Sequence, residues 1–256
     1  EATADDTVFW EFTDDDDAYP TDSTGAALLA ADAVSQRFDL QAVPEPVKDL
    51  GYTFSVPTIA MSNVLDANNE REWVVVFGNG FNSTAGIAKL FVLFTSRGVD
   101  GVWCHPDSVF NDNLNSGDGL RTGCAANETD FVKMDTGFGV ATTGPRAGFP
   151  NGLGTPRGID VDANGTIDYA YAGDTLGNFF RFDMCRSDLG GGECVVSTTA
   201  YTNWTVTKIF EAVYDPDCDA GTLGVETCDL TDGDEVPQPV LNRPLVVEHP
   251  TEEDGF

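Results

Sequence analysis

The stretch Pro156-Arg157-Gly158-Ile159-Asp160-Val161-Asp162-Ala163-Asn164-Gly165-Thr166-Ile167-Asp168-Tyr169-Ala170-Tyr171-Ala172-Gly173-Asp174-Thr175-Leu176-Gly177-Asn178-Phe179-Phe180-Arg181-Phe182 decides the fold. Its short aromatic and β-branched runs end at Gly, Asn or Asp, the pattern of strands separated by tight turns. An earlier stretch runs parallel to it. Pro57-Thr58-Ile59 matches Pro156 to Ile159, Val75-Val76-Phe77-Gly78-Asn79-Gly80 matches Ala170 to Asp174, and Ala88-Lys89-Leu90-Phe91-Val92-Leu93 matches Gly177 to Phe182. Pro57 and Pro156 are 99 residues apart. Each unit reads as an inner strand, a hairpin, a middle strand ending in Gly, a tight turn and an aromatic outer strand, as propeller blades do. The expected fold class is therefore all-β, with β-propeller blades in a partial ring: four-stranded antiparallel blades with long loop insertions. An antiparallel sandwich with chance internal similarity is the alternative.

Outward from these units, residues 1–256 read as one section of a propeller. Residues 1–20 are a blade remnant, since Val8-Phe9-Trp10-Glu11-Phe12 resembles the third strand of a unit that begins upstream. One blade spans 50–100, with strands at Trp73–Phe77 and Leu90–Phe94, and another spans 155–215, with strands at Tyr169–Ala172 and Phe179–Phe182. Residues 101–154, rich in Asn, Asp, Gly and Thr, read as a loop insertion, and 216–236 as an acidic loop. The next blade is expected to start within 240–256, at Arg243-Pro244-Leu245-Val246-Val247. The one helix candidate, 25–38, has good propensity but a weak apolar stripe, and Pro44 and Pro46 follow it.

The sharpest chemistry lies between the first two strands of the second unit. Asp160, Asp162, Asn164 and Asp168 occupy positions 1, 3, 5 and 9 of a nine-residue run with Gly165 at position 6. That is the opening of a calcium loop of the EF-hand kind, in which Thr166 at position 7 offers its backbone carbonyl. Position 12 is Tyr171 where the helical version has a bidentate Glu, so Asp168 must close the site directly. The flanks read as strands, which makes the loop a hairpin tip. Three carboxylates and an Asn at alternate positions repel one another without a cation, and magnesium prefers fewer protein ligands and more water. The expected cofactor is Ca2+, and the alternative is a solvated Asp/Asn/Gly turn. The acidic runs Asp215 to Gly221 and Asp229 to Glu235 read as a disulfide-closed acidic loop rather than a second metal site. Asp14 to Asp17 reads as a solvated turn.

Asp and Glu number 43 against 13 Lys and Arg, giving a net charge of -30. Such a surface repels phosphate backbones and anionic bilayers, which excludes nucleic acid and membrane lipid as direct partners. With 41% hydrophobic residues and 17 Phe the chain can bury a core. No apolar run is long enough to span a membrane, and export signals are expected outside this sequence or already removed. Six cysteines fall into sequence-local pairs, Cys104 with Cys124, Cys185 with Cys194 and Cys218 with Cys228, for which local disulfides are the economical pairing. Other connectivities and free thiols stay open. Disulfides imply an oxidising compartment, the periplasm or cell exterior.

Enzyme signatures are largely missing. There is no GxSxG, Gly152 to Gly158 misses the dinucleotide spacing, and His105 and His249 give neither a triad nor a zinc site. No catalytic residue is assigned. The enzymatic rival is a quinoprotein-like periplasmic dehydrogenase propeller using pyrroloquinoline quinone, since Trp10 resembles the outer-strand tryptophan of such blades, but the adjacent cysteine pair they commonly carry is absent. A calcium-stabilised carbohydrate-binding module of a secreted protein is a third reading.

Asp49 to Pro57, Trp73 to Ser83 and above all Thr155 to Asp183 resemble the C-terminal propeller of the PilC/PilY type IV pilus biogenesis and tip-adhesin family. Gln238-Pro239 through His249-Pro250 resembles the entry to that family's next blade. The resemblance implies a non-enzymatic, extracellular protein at the pilus tip, or one in the periplasm or at the outer membrane. It would work with minor pilins in controlling extension against retraction and in attachment to host or abiotic surfaces. It also implies that Asp160, Asp162, Asn164, Thr166 and Asp168 bind calcium.

Overall fold

The two repeated units fold into two four-stranded antiparallel sheets with the same order and register. The computed structural model describes residues 12–13, 48–98, 102–105, 124, 128–141, 147–185, 196–214 and 236–246. The first sheet runs β1 (Thr58–Leu65), β2 (Arg71–Gly78), β3 (Lys89–Phe94), β4 (Phe131–Asp135). The second runs β5 (Arg157–Ile159), β6 (Tyr169–Gly173), β7 (Asn178–Asp183), β8 (Thr205–Glu211). A 3-10 turn, Ala200–Asn203, precedes β8, and β9 (Val213–Tyr214) pairs with β10 (Val236–Pro237). Thr58 faces Val76 as Arg157 faces Tyr171, and Gly78 faces Leu90 as Gly173 faces Phe179. Each sheet is a simple meander with no strand exchanged between sheets. That is the blade pattern rather than the Greek key of a sandwich, and among the described residues the sheets do not close into a ring.

Strand alternation sends two sets of side chains to two faces of each sheet. Val74, Val76, Leu90, Val92 and Phe94 of the first sheet share one core with Ala170, Ala172, Phe180 and Phe182 of the second, so the sheets stack face to face. Val75, Phe77, Phe91, Leu93, Trp103 and Phe131 form the far face of the first sheet. Phe12 packs on it edge-on, with ring centroids 5.0 Å from Phe131 and 5.6 Å from Trp103.

The ends of the middle strands receive the chain entering the next unit. A Cβ on Gly78 would lie 2.1 Å from the Gly154 carbonyl oxygen, and one on Gly173 would lie 2.2 Å from that of Val240, so both positions demand glycine. The next residue in each unit is a buried polar knot. Asn79 Oδ1 accepts the Lys89 and Leu153 N–H groups, while Asp174 accepts the Leu176 and Asn178 N–H groups and the Asn151 and Asn178 amides.

One expectation is corrected. The stretch 101–154 is not only an insertion, because Phe131–Asp135 returns as β4, the fourth strand of the first blade. Residues 240–246, where the next blade is expected to start, carry no strand and pack on the second blade through the Val240 N–H on the Asp174 carbonyl and the Thr155 N–H on the Leu241 carbonyl, while 247–256 lie outside the described residues. The Cys104–Cys124 disulfide is present, and Cys185 is disulfide-bonded to a partner outside the described residues. The helix candidate 25–38, Trp10, Asp14 to Asp17, the acidic loop 216–236 and the Cys218–Cys228 pair lie outside the described residues.

Candidate metal centre

The ladder between β5 and β6 ends at the Ile159–Tyr169 pair, and residues 160–168 leave it as a loop. Two residues with positive φ, Ala163 at 58° and Gly165 at 89°, curl the chain back, the second in a region that suits glycine. The side chains are then tied to the loop's own backbone. Asp160 accepts the Asn164 and Gly165 N–H groups at 3.2 and 2.8 Å, and Asp162 accepts the Asn164 N–H and side-chain amide at 3.1 and 2.7 Å. Asn164 Oδ1 accepts the Thr166 N–H at 2.8 Å, and Asp168 Oδ2 accepts the Val161 N–H at 2.7 Å. These bonds point the acceptor oxygens inward. One carboxylate oxygen from each of Asp160, Asp162 and Asp168 lies within 4.8 Å of the other two.

Asp160 and Asp162 are exposed at the rim, whereas Asp168 is buried at the base, 2% exposed. Burial, with added repulsion from Asp162 and Asp160, raises the Asp168 carboxyl above the usual range, although the Val161 N–H works the other way. Two acids gathered around a third, partly desolvated one are a costly arrangement without a counter-charge. The three converging carboxylates, with Asn164 and the Thr166 carbonyl as the further ligands expected from the sequence, would give a set of hard oxygen donors carrying up to three negative charges. Such a set fits calcium, which takes six to eight oxygens, and a bound ion would neutralise and order the loop. Tyr171 belongs to β6, paired with Arg157 and Arg181, and takes no part.

The sequence reading missed the first blade's share of this site. The Arg71 guanidinium at the start of β2 donates to Asn164 Oδ1 at 3.4 Å. β1 reaches the loop's closing arm: the Ile167 N–H donates to the Met61 carbonyl at 2.8 Å, and the Thr166 hydroxyl lies 3.3 Å from Asn63 Oδ1. A cavity of about 130 Å³ separates Thr58 and Ala60 of β1 from Ile159, Asp160 and Ile167. These partners lie about a hundred residues away in the chain, and no local motif announces them.

Residues 132–228, which contain the whole loop and all of β5 to β8, match the family described as the PilY1 beta-propeller domain. This stretch belongs to the PilY1 β-propeller family. A curated relative, the type IV pilus biogenesis factor PilY1 of Pseudomonas aeruginosa strain PAO1, is 32% identical over 136 residues, covering 53% of this chain and 8% of that protein. A PilY1 homolog of Xylella fastidiosa is 28% identical over 142 residues, 55% of this chain and 7% of the relative. The chain thus spans under a tenth of the length of these PilY1 proteins. A crystal structure of the Pseudomonas aeruginosa PilY1 C-terminal domain is similar over 82% of this chain and 33% of that one, with a TM-score of 0.45 and 24% identity.

Proposed function

We propose that this chain is the calcium-binding propeller section of a type IV pilus biogenesis and tip-adhesin protein. In this reading it is not an enzyme. It acts outside the cell or in the periplasm with minor pilins of the pilus tip, in the balance of extension against retraction and in attachment to surfaces. The observation that carries the reading is the convergence of Asp160, Asp162 and Asp168 on one hairpin tip of a blade whose sequence belongs to the PilY1 family. The relatives are type IV pilus biogenesis factors, which supports the pilus role.

Calcium acts here as a structural counter-ion. It cancels the repulsion among the three carboxylates, and the loop then holds β5 and β6 in register. A ligand that binds only the folded state stabilises it by RT ln(1 + [L]/Kd), about 2.7 kcal/mol at a hundredfold excess over Kd. Thermal melting in calcium and in chelator tests this, together with twitching and surface-pilus assays of cells carrying Asp168→Ala. A higher melting point in calcium and a shifted extension–retraction balance in the variant are expected. Equal melting points with and without calcium would remove the loop from the function, and normal pili in the variant would remove the pilus role from the loop.

A further inference from the structure

The irregular end of β1 reaches across to the second blade. Between Met61 and Leu65 the register with β2 shifts, which releases β1 from regular pairing there. Alternate residues of this stretch, Met61, Asn63 and Leu65, then bond to the second blade. The Met61 carbonyl accepts the Ile167 N–H at 2.8 Å, Asn63 Oδ1 lies 3.3 Å from the Thr166 hydroxyl, and the Leu65 N–H donates to the Ser197 carbonyl at 3.1 Å. Met61 bridges Thr166, and Val64 bridges Ser197, both in parallel.

Two of these contacts bear on the metal loop. Thr166 C=O and Ile167 N–H belong to one planar trans peptide, in which the two groups point in opposite directions. Tying the N–H to Met61 therefore turns the Thr166 carbonyl, the one backbone ligand, away from the first blade. The second contact is a relay. The Thr166 hydroxyl has one proton and two acceptors within reach, Asn63 Oδ1 and Asn164 Oδ1. Asn63 is 1% exposed, and its Nδ2 makes no hydrogen bond. Reversing its amide lets Nδ2 donate to Thr166 while the hydroxyl donates to Asn164. Either way a buried amide from the first blade sets the hydroxyl that orients Asn164, a loop ligand. A polar side chain this deeply buried is costly unless hydrogen-bonded, and Thr166 supplies that partner.

We infer that the metal site is an inter-blade latch, in which Met61 and Asn63 of the first blade position the Thr166 carbonyl and Asn164, so that cation binding and blade docking strengthen each other. This rests on the calcium reading of the loop. Linkage makes the coupling reciprocal: if docking prepares the ligands, the bound ion must tighten the docking.

The test combines calcium titration by calorimetry with hydrogen exchange of the intact chain, with and without calcium. Asn63→Ala and Thr166→Val should weaken calcium binding about tenfold, as loss of an outer-shell partner does, while Thr166→Ser, which keeps the hydroxyl, should bind as the wild type does. In the wild type, calcium should slow exchange of the Ile167 and Leu65 amides, both donors between blades, by about tenfold. The wild-type exchange decides the matter even if a variant fails to fold. Calcium binding that leaves Leu65 exchange unchanged, or that is as tight in Asn63→Ala, overturns the latch and spares the calcium reading. No calcium binding by the wild type overturns both.

Discussion

Replacing Asp49 with Asn should unfold the first blade's polar anchor at a cost that can be worked from its surroundings. The Asp49 side chain is fully buried and holds two ammonium groups, Lys89 at 2.7 Å and Lys133 at 2.9 Å. Lys89 also reaches Asp135 at 3.2 Å, near the surface, and so keeps a carboxylate in the variant. Lys133, whose side chain is 4% exposed, loses the Asp49 charge in a site that water barely enters. Breaking one member of a buried pair costs about 3–5 kcal/mol. At about 2–4 °C per kcal/mol for a domain of this size, Asp49→Asn should melt about 6–20 °C lower at pH 7. Burial pushes the Asp49 carboxyl up, but Lys133 and Lys89 outweigh burial and hold it below its ordinary 3.8. Its contribution is therefore complete above 3.8 and is lost as pH falls through the depressed folded value. The gap between wild type and variant should narrow in acid. Thermal melts from pH 7 to pH 3 measure this. A variant as stable as the wild type at pH 7, or a gap that does not change with pH, would refute the argument. An Asp49→Leu, Lys133→Met double variant should recover much of the loss, because apolar replacement removes the stranded charge.

Burial, with Lys133 adding to it, lowers His105 to about 3, so stability should fall from pH 6.5 towards pH 3 by up to about 1.4 kcal/mol per pH unit, and His105→Phe should flatten that slope in pH-dependent melts. Gly78→Ala should cost at least about 2 kcal/mol in urea unfolding, since its Cβ meets the Gly154 and Leu153 carbonyl oxygens at 2.1 and 2.5 Å; a neutral effect would show that the entry segment can move aside. Removing the Cys104–Cys124 bond, which spans 20 residues, should cost about 3 kcal/mol, and non-reducing peptide mapping should return Cys185 with Cys194 and Cys218 with Cys228.

The propeller pattern was legible because each repeated strand carries its own signal. Val74 to Phe77 and Leu90 to Phe94 are continuous apolar runs, and Gly78 and Gly173 mark the same crowded strand end in both blades. The outermost strands were not legible. β8, Thr205–Glu211, lies at a sheet edge with most residues exposed, so it lacks apolar alternation, and β4 is five residues within a Gly-, Asn- and Asp-rich stretch. The acidic loop could be read because its three carboxylates are local in sequence, whereas Met61, Asn63 and Arg71 reach it only through the stacking of blades. The Asp49 cluster was hidden for the same reason: its members come from three separate segments, and lone Asp and Lys residues carry no pattern.

Calorimetric titration of the intact chain with calcium, beside Asp168→Asn and beside magnesium, tests the central claim most directly. One calcium per chain with binding to Asp160, Asp162, Asn164, Thr166 and Asp168 is expected, together with much weaker magnesium binding and loss of the calcium heat in Asp168→Asn. No calcium heat in the wild type, or an undiminished heat in Asp168→Asn, would contradict it.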